Sequence, residues 1–139
     1  MIECESEQPN AFPQKISVRR VHSLRGDVDA ASGSSDSAPS PHDYFETALA
    51  SCKALTAIWF ARRSGFPLER VEAQVESDRS HERQGVYRMR VSLSLIGPLS
   101  EEQKQRIQAA VERCPIHKLM TSSEVIIETG PLLNQSGAV

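Results

Sequence analysis

The chain has 139 residues, with 16 Lys and Arg against 18 Asp and Glu and a net charge of −2, which describes one domain large enough to bury a core without staples. Charges so nearly balanced make no field strong enough to gather phosphates, so no nucleic-acid partner is expected. Three cysteines, Cys4, Cys52 and Cys114, are odd in number and far apart, unlike a secreted disulfide scaffold, and read as free or redox-active thiols.

Residues 1–13 carry Glu3, Glu5 and Glu7 with neither a basic start nor an apolar run. They read as a flexible leading segment rather than a secretory signal, and a cytoplasmic protein is expected. Cys4 falls in this segment, exposed and without a role. Residues 15–21 and 22–28 mix β-branched and polar side chains and predict strands or a hairpin. Gly, Ser, Ala, Asp and Pro dominate 29–40, a composition that cannot fill a core. This predicts a loop that is mobile or ordered only by contact, and suited to act as a flap.

A long helix is predicted over 41–64. Ser40 can cap it, Pro41 is preorganised for its first position, and Asp43 can complete a capping box. Arg62 and Arg63 suit its negative end, and Gly65 and Pro67 stop it. Phe45, Ala48, Leu49, Cys52, Leu55, Trp59 and Phe60 form one stripe, yet Ala50, Ala54, Ala57, Ile58 and Ala61 leave the other faces largely apolar too. A helix apolar nearly all round must be covered nearly all round, and in so short a chain a partner subunit is the expected cover. The stretch 44–61 approaches membrane-spanning length, but Glu46, Thr47, Ser51, Lys53 and Thr56 interrupt it, so no membrane partner is expected.

Val71, Ala73 and Val75 then alternate with charged or polar neighbours, as do Tyr87, Met89, Val91, Leu93 and Leu95, which is the period of half-buried strands. The polar run 78–85 closes the hairpin between them. Ser100 with Gln103 makes a second capping box, and Ile107, Ala110, Val111 and Cys114 keep helical spacing, so Cys114 ends the second helix on its buried face. Pro115 starts a short turn or helix, 124–128 reads as a closing strand, and 131–139 as a frayed tail. Strands, helix, hairpin, helix and strand follow one another over 14–130 as one unit, with no internal repeat and no domain boundary.

On an apolar stripe Cys52 alone reads as a small hydrophobe. Cys114 stands at a helix break beside Pro115, where free backbone N–H groups favour a thiolate. The segment PHDYFETALASC, ending at Cys52, resembles the helix of the OsmC/Ohr family, in which a proline and an acidic residue precede an Ala-rich run ending in cysteine. The sequence Cys114-Pro115-Ile116-His117-Lys118 resembles that family's C-P element after its second long helix. The 62-residue separation of the two cysteines and the hairpin between them also suit the family.

The resemblance implies an OsmC-like α+β fold, with two long central helices wrapped by antiparallel sheets in an intertwined homodimer and active sites at the interface. It implies a thiol-dependent peroxidase without a cofactor. Cys52 attacks an organic hydroperoxide or hydrogen peroxide and becomes a sulfenic acid, Cys114 resolves it as a disulfide, and a dithiol of lipoyl or thioredoxin type restores both. It further implies an arginine, held by a carboxylate, that favours the thiolate. Arg25 is the first choice, with Arg19 and Arg20 as rivals. Asp43 stands about where the family carries an acid, usually glutamate and one residue earlier, at the position of His42; it serves equally well as a helix cap.

Two other readings compete. Cys114 and His117 have a C-x-x-H spacing that could hold zinc, with Cys52, His22 or His42 as further donors. A non-catalytic thiol sensor, or a binding module with an interface pocket lined by Phe45, Leu49 and Trp59, is the other.

Overall fold

Helix α1 (Pro41–Ser64) is the 24-residue axis of the domain, and its two ends are fixed by local chemistry. At the start, the Ser40 hydroxyl accepts from the Asp43 N–H at 3.2 Å while the Asp43 carboxylate accepts from the Ser40 N–H at 2.9 Å. At the end, Gly65 takes a left-handed conformation (φ 69°) that few other residues adopt without strain. The computed structural model describes residues 1–135. Before α1 come β1 (Ile2–Ser6), β2 (Gln14–Val18) and β3 (His22–Gly26); after it come β4 (Arg70–Asp78), β5 (Arg88–Ile96), α2 (Glu101–Val111) and α3 (Pro115–Thr121).

The β4–β5 hairpin is antiparallel over its whole length, from Arg70 opposite Ile96 to Asp78 opposite Arg88. Its alternation turns Val71, Leu93 and Leu95 toward α1 and α2, where they pack around a core of Ala57, Ala61, Ile107 and Val111. Burying Ile107 completely is worth roughly 2–3 kcal/mol. Gly97 follows β5 because nothing else fits: its φ is 145°, and a Cβ there would lie 2.3 Å from the Pro67 carbonyl oxygen. Helix α2 is capped by the reciprocal Ser100–Gln103 box.

The buried line of α1 is Leu49, Lys53, Ala57 and Ala61, spaced four apart. This corrects the expected stripe, of which Phe45, Leu55 and Trp59 are 43%, 61% and 59% exposed. Where every face of a helix is apolar, periodicity cannot choose among them. The alanines win because they let α2 approach closely, and the large side chains are left outside.

β1, β2 and β3 form a second antiparallel sheet in that order. The leading segment, expected to be flexible, therefore supplies an edge strand, with Cys4 opposite Ile16. Its glutamates are not merely solvated: Glu3 pairs with Arg20 at 3.3 Å and Glu7 with Arg25 at 2.7 Å. Residues 124–128, expected to close a sheet, lie in no strand, and Val125, Ile126 and Ile127 are all exposed. A short run of β-branched residues does not make a strand unless it pairs with a neighbouring strand, and 124–128 joins neither sheet. Residues 131–135 are exposed and irregular, and the rest of the expected tail lies outside the described residues. Among the described residues no helix is long and apolar enough to cross a membrane.

Candidate functional site: two thiols at the α1–α3 contact

The register set by the Ser40 cap carries Cys52 to the middle of α1, on the side that meets α3. There the backbone breaks after α2 and restarts at Pro115, and Cys114 becomes the N-cap of α3. Its Sγ accepts from the His117 backbone N–H at 3.4 Å, and its carbonyl accepts from Lys118 N–H at 3.2 Å. Cys114 is completely buried, whereas Cys52 is half-buried, and both are free thiols. Burial pushes the Cys114 thiol above its ordinary 9.0. The His117 N–H pulls it down, the neighbouring Cys52 thiol adds to the rise, and the Lys53 charge again opposes it.

Cys52 opens on a groove of about 870 Å³ between α1 and the α2–α3 break, lined mainly by apolar groups that include Leu55, Trp59, Phe60 and Ile116. Arg113, immediately before Cys114, lines the same groove. An apolar trough with a thiol in its wall and a guanidinium at its edge can receive an alkyl chain and hold an anion at its reactive end.

The sequence reading missed Lys53. It is buried, and its ammonium donates to the Val111 carbonyl at 3.0 Å and contacts His117 Nδ1 at 3.0 Å. The signal in the sequence is a single charge on the line of Leu49, Ala57 and Ala61, which along the chain looks only like an interruption of an apolar stretch.

The structure brings Cys52 and Cys114 together and places Arg25 and Asp43 elsewhere. Arg25 is held by both carboxylate oxygens of Glu7, at 2.7 and 3.0 Å, and by the Ser37 carbonyl at 3.0 Å, while its own carbonyl accepts from the Tyr44 hydroxyl. Glu7 raises its basicity further. Asp43 caps α1 and pairs with Arg79 at 3.3 Å, which also grips Glu46. Nine residues along a helix is about 13 Å of rise and half a turn from the same face, so Asp43 does not meet the Cys52 of its own chain. Arg19 and Arg20 form the β2–β3 turn, with φ of 53° and 57°.

The 29–40 loop is latched rather than loose. Asp27, buried at its base, accepts from Ser37 N–H at 2.8 Å, Ser37 Oγ at 2.7 Å and Val28 N–H at 2.8 Å, and also from Ser34 Oγ. The Ser34 and Ser37 hydroxyls hold its carboxyl well below the usual carboxylate range.

Phe45, Leu49 and Trp59 do not line one pocket. Leu49 is core, Phe45 meets Tyr87 edge-on at 5.6 Å, and Trp59 lies beside Cys52 with Arg63 over its ring at 4.5 Å. Among the described residues no three His, Cys, Asp or Glu side chains converge as metal ligands. His42 instead contacts Glu82 at 2.6 Å.

A helix pair and hairpin that bring a buried thiol against a half-buried one define a two-thiol protein of the α+β class. The profile of the family described as OsmC-like protein matches residues 33–129, and the chain belongs to that family. Among solved structures, an OsmC-like protein from Mycoplasma pneumoniae superposes with a TM-score of 0.67 at 19% identity, covering 88% of this chain and 86% of that one. An organic hydroperoxide resistance protein OsmC from Legionella pneumophila gives 0.64 at 16% identity, covering 88% of each. The organic hydroperoxide resistance protein OhrB of Bacillus subtilis gives 0.57 at 20% identity, covering 88% and 90%. These likenesses establish a shared fold. A search of curated proteins gives no match.

Proposed function

We propose that this protein is a thiol-dependent peroxidase for organic hydroperoxides or hydrogen peroxide. The observation that carries the reading is the placement of Cys52 in the wall of an apolar groove with buried Cys114 against it. Two of the structural relatives being organic hydroperoxide resistance proteins supports the substrate class. In the first step the Cys52 thiolate attacks the distal oxygen of ROOH, the O–O bond breaks, and ROH leaves with a proton, so sulfur is oxidised to Cys52–SOH. In the second, Cys114 attacks that sulfur, the S–O bond breaks, and water departs with the proton that Cys114 gave up. A dithiol then reduces the Cys52–Cys114 bridge.

The apolar face formed by Leu55, Ile58 and Trp59 supports a homodimer closing over the groove. Three cysteines, odd in number and far apart in the sequence, support placing the protein in the reducing cytoplasm. The test is peroxide consumption with a dithiol by wild type, Cys52→Ser and Cys114→Ser. Cys114→Ser should consume about one equivalent and trap a sulfenic acid, and Cys52→Ser almost none. A reactive Cys52→Ser protein reverses the order of the two thiols.

A further inference from the structure

Lys53 is a buried cation with no buried anion beside it. Its ammonium reaches the Val111 carbonyl and His117 Nδ1, both at 3.0 Å, and among the described residues no carboxylate stands within ion-pair distance of it. Removing an ammonium from water without a counter-charge is costly, and evolution ordinarily places a carboxylate at such a point. The groups acting on Cys114 are Cys52 and Lys53 from α1 and the His117 backbone N–H from α3, while the His117 ring meets Lys53 instead. On its other side Lys53 lines a second cavity, of about 500 Å³, with Lys104 and Glu112 among its walls. Glu112 is exposed, so the buried group that feels the Lys53 charge and can itself become an anion is the Cys114 thiol.

We propose that Lys53 is a positioning residue for the resolving step: clamped between Val111 and His117, its charge favours the Cys114 thiolate at the moment that thiolate attacks oxidised Cys52. This rests on the proposed peroxidase chemistry. In the step concerned, Cys114–SH loses its proton, the thiolate forms the S–S bond as the Cys52 S–O bond breaks, and the leaving hydroxide takes up a proton to become water. Lys53 takes no part in the proton transfer, and no outside oxidant or reductant enters. A buried thiol is a poor nucleophile unless something favours its ionised form, and Lys53 is the charge that does so at Cys114, whereas Arg113 lines the groove on the Cys52 side.

The rival reading is structural: Lys53 caps the last carbonyls of α2 and does nothing more. Lys53→Gln separates the two, because an amide can still donate to Val111 but carries no charge, and Lys53→Arg keeps the charge. In a Cys4→Ser, Cys52→Ser background the thiolate absorbance at 240 nm belongs to Cys114 alone. Its titration midpoint should rise by about one unit in Lys53→Gln and stay near the parent in Lys53→Arg. In a Cys4→Ser background, disulfide formation from the sulfenic acid should slow about tenfold in Lys53→Gln while the first oxidation keeps its rate. An unmoved midpoint in folded Lys53→Gln overturns the proposal. If that variant does not fold, ¹⁵N-lysine spectra of the Cys4→Ser, Cys52→Ser protein decide, since the Lys53 ammonium resonance must step as Cys114 ionises and its failure to step is equally fatal. Absence of any Cys52 oxidation sinks the peroxidase reading instead and leaves the absorbance result standing.

Discussion

Lys53 Nζ and His117 Nδ1 lie 3.0 Å apart although 64 residues separate them in the chain. That contact ties the middle of α1 to the first turn of α3, so the two thiols cannot drift apart without breaking a partly buried polar link. The proximity of Cys52 and Cys114 is therefore built into the packing of helices, not left to a mobile segment.

The guanidinium that assists Cys52 within one chain is expected to be Arg113, which shares its groove, rather than Arg25, which is committed to Glu7 and Ser37. Arg113→Ala should slow the first oxidation about tenfold, equivalent to roughly 1.4 kcal/mol. Arg25→Ala should instead raise proteolytic cleavage in 29–40. Stopped-flow peroxide reduction on both variants checks this, and a slow Arg25→Ala with a normal Arg113→Ala restores Arg25 to the mechanism.

A dimer is expected at micromolar concentration, with Leu55 and Trp59 covered. Trp59→Glu places a charge on that face and should yield a monomer by sedimentation velocity, with lower thermal stability because association and folding are linked. A wild-type monomer under the same conditions refutes the interface.

The Gly97 turn is expected to tolerate no side chain. Gly97→Ala sets a Cβ against the Pro67 carbonyl at a positive φ and should lose about 2 kcal/mol or more by urea unfolding. Gly85→Ala, whose Cβ would meet nothing within 4 Å, pays only for its φ of 83° and should lose less.

The loop latch has a pH dependence of known sign. The folded-state affinity of Asp27 for a proton is depressed below its ordinary 3.8, so its contribution is complete above that range and is lost as pH falls through the lower folded value. Amide exchange over 29–40 should therefore accelerate, relative to the core, only on acidification below about pH 4. In Asp27→Asn the loop should be fast at every pH. A loop equally protected in Asp27→Asn and wild type removes the latch.

The sequence was most legible where local chemistry is decisive. Ser40, Pro41, Asp43 and Gly65 state the ends of α1, because caps satisfy backbone groups within a few residues and need no tertiary information. The alternation of 71–75 and 87–95 fixed the hairpin for the same reason. Legibility failed where the partner is distant. Glu3 and Glu7 read only as marks against a secretory signal, whereas they pair with Arg20 and Arg25, and 124–128 has the composition of a strand but joins neither sheet. The meeting of Cys52 with Cys114 came from family resemblance, since spacing alone does not place two helices side by side. Lys53 stayed hidden because its meaning lies in Val111 and His117, each far along the chain.

Pinned at both ends, α1 has no slack. Each residue advances a helix by about 100°, so inserting or deleting a single residue between Ser40 and Cys52 would swing the thiol about a quarter-turn out of the groove and away from Cys114. The same change placed in 29–40 would be absorbed by a loop whose closure cost scarcely depends on its length, provided Asp27 kept Ser34 and Ser37. Length variation among functional descendants of this chain should accordingly collect before the helix cap and vanish within the twelve residues that follow it, which makes α1 a ruler as much as a scaffold.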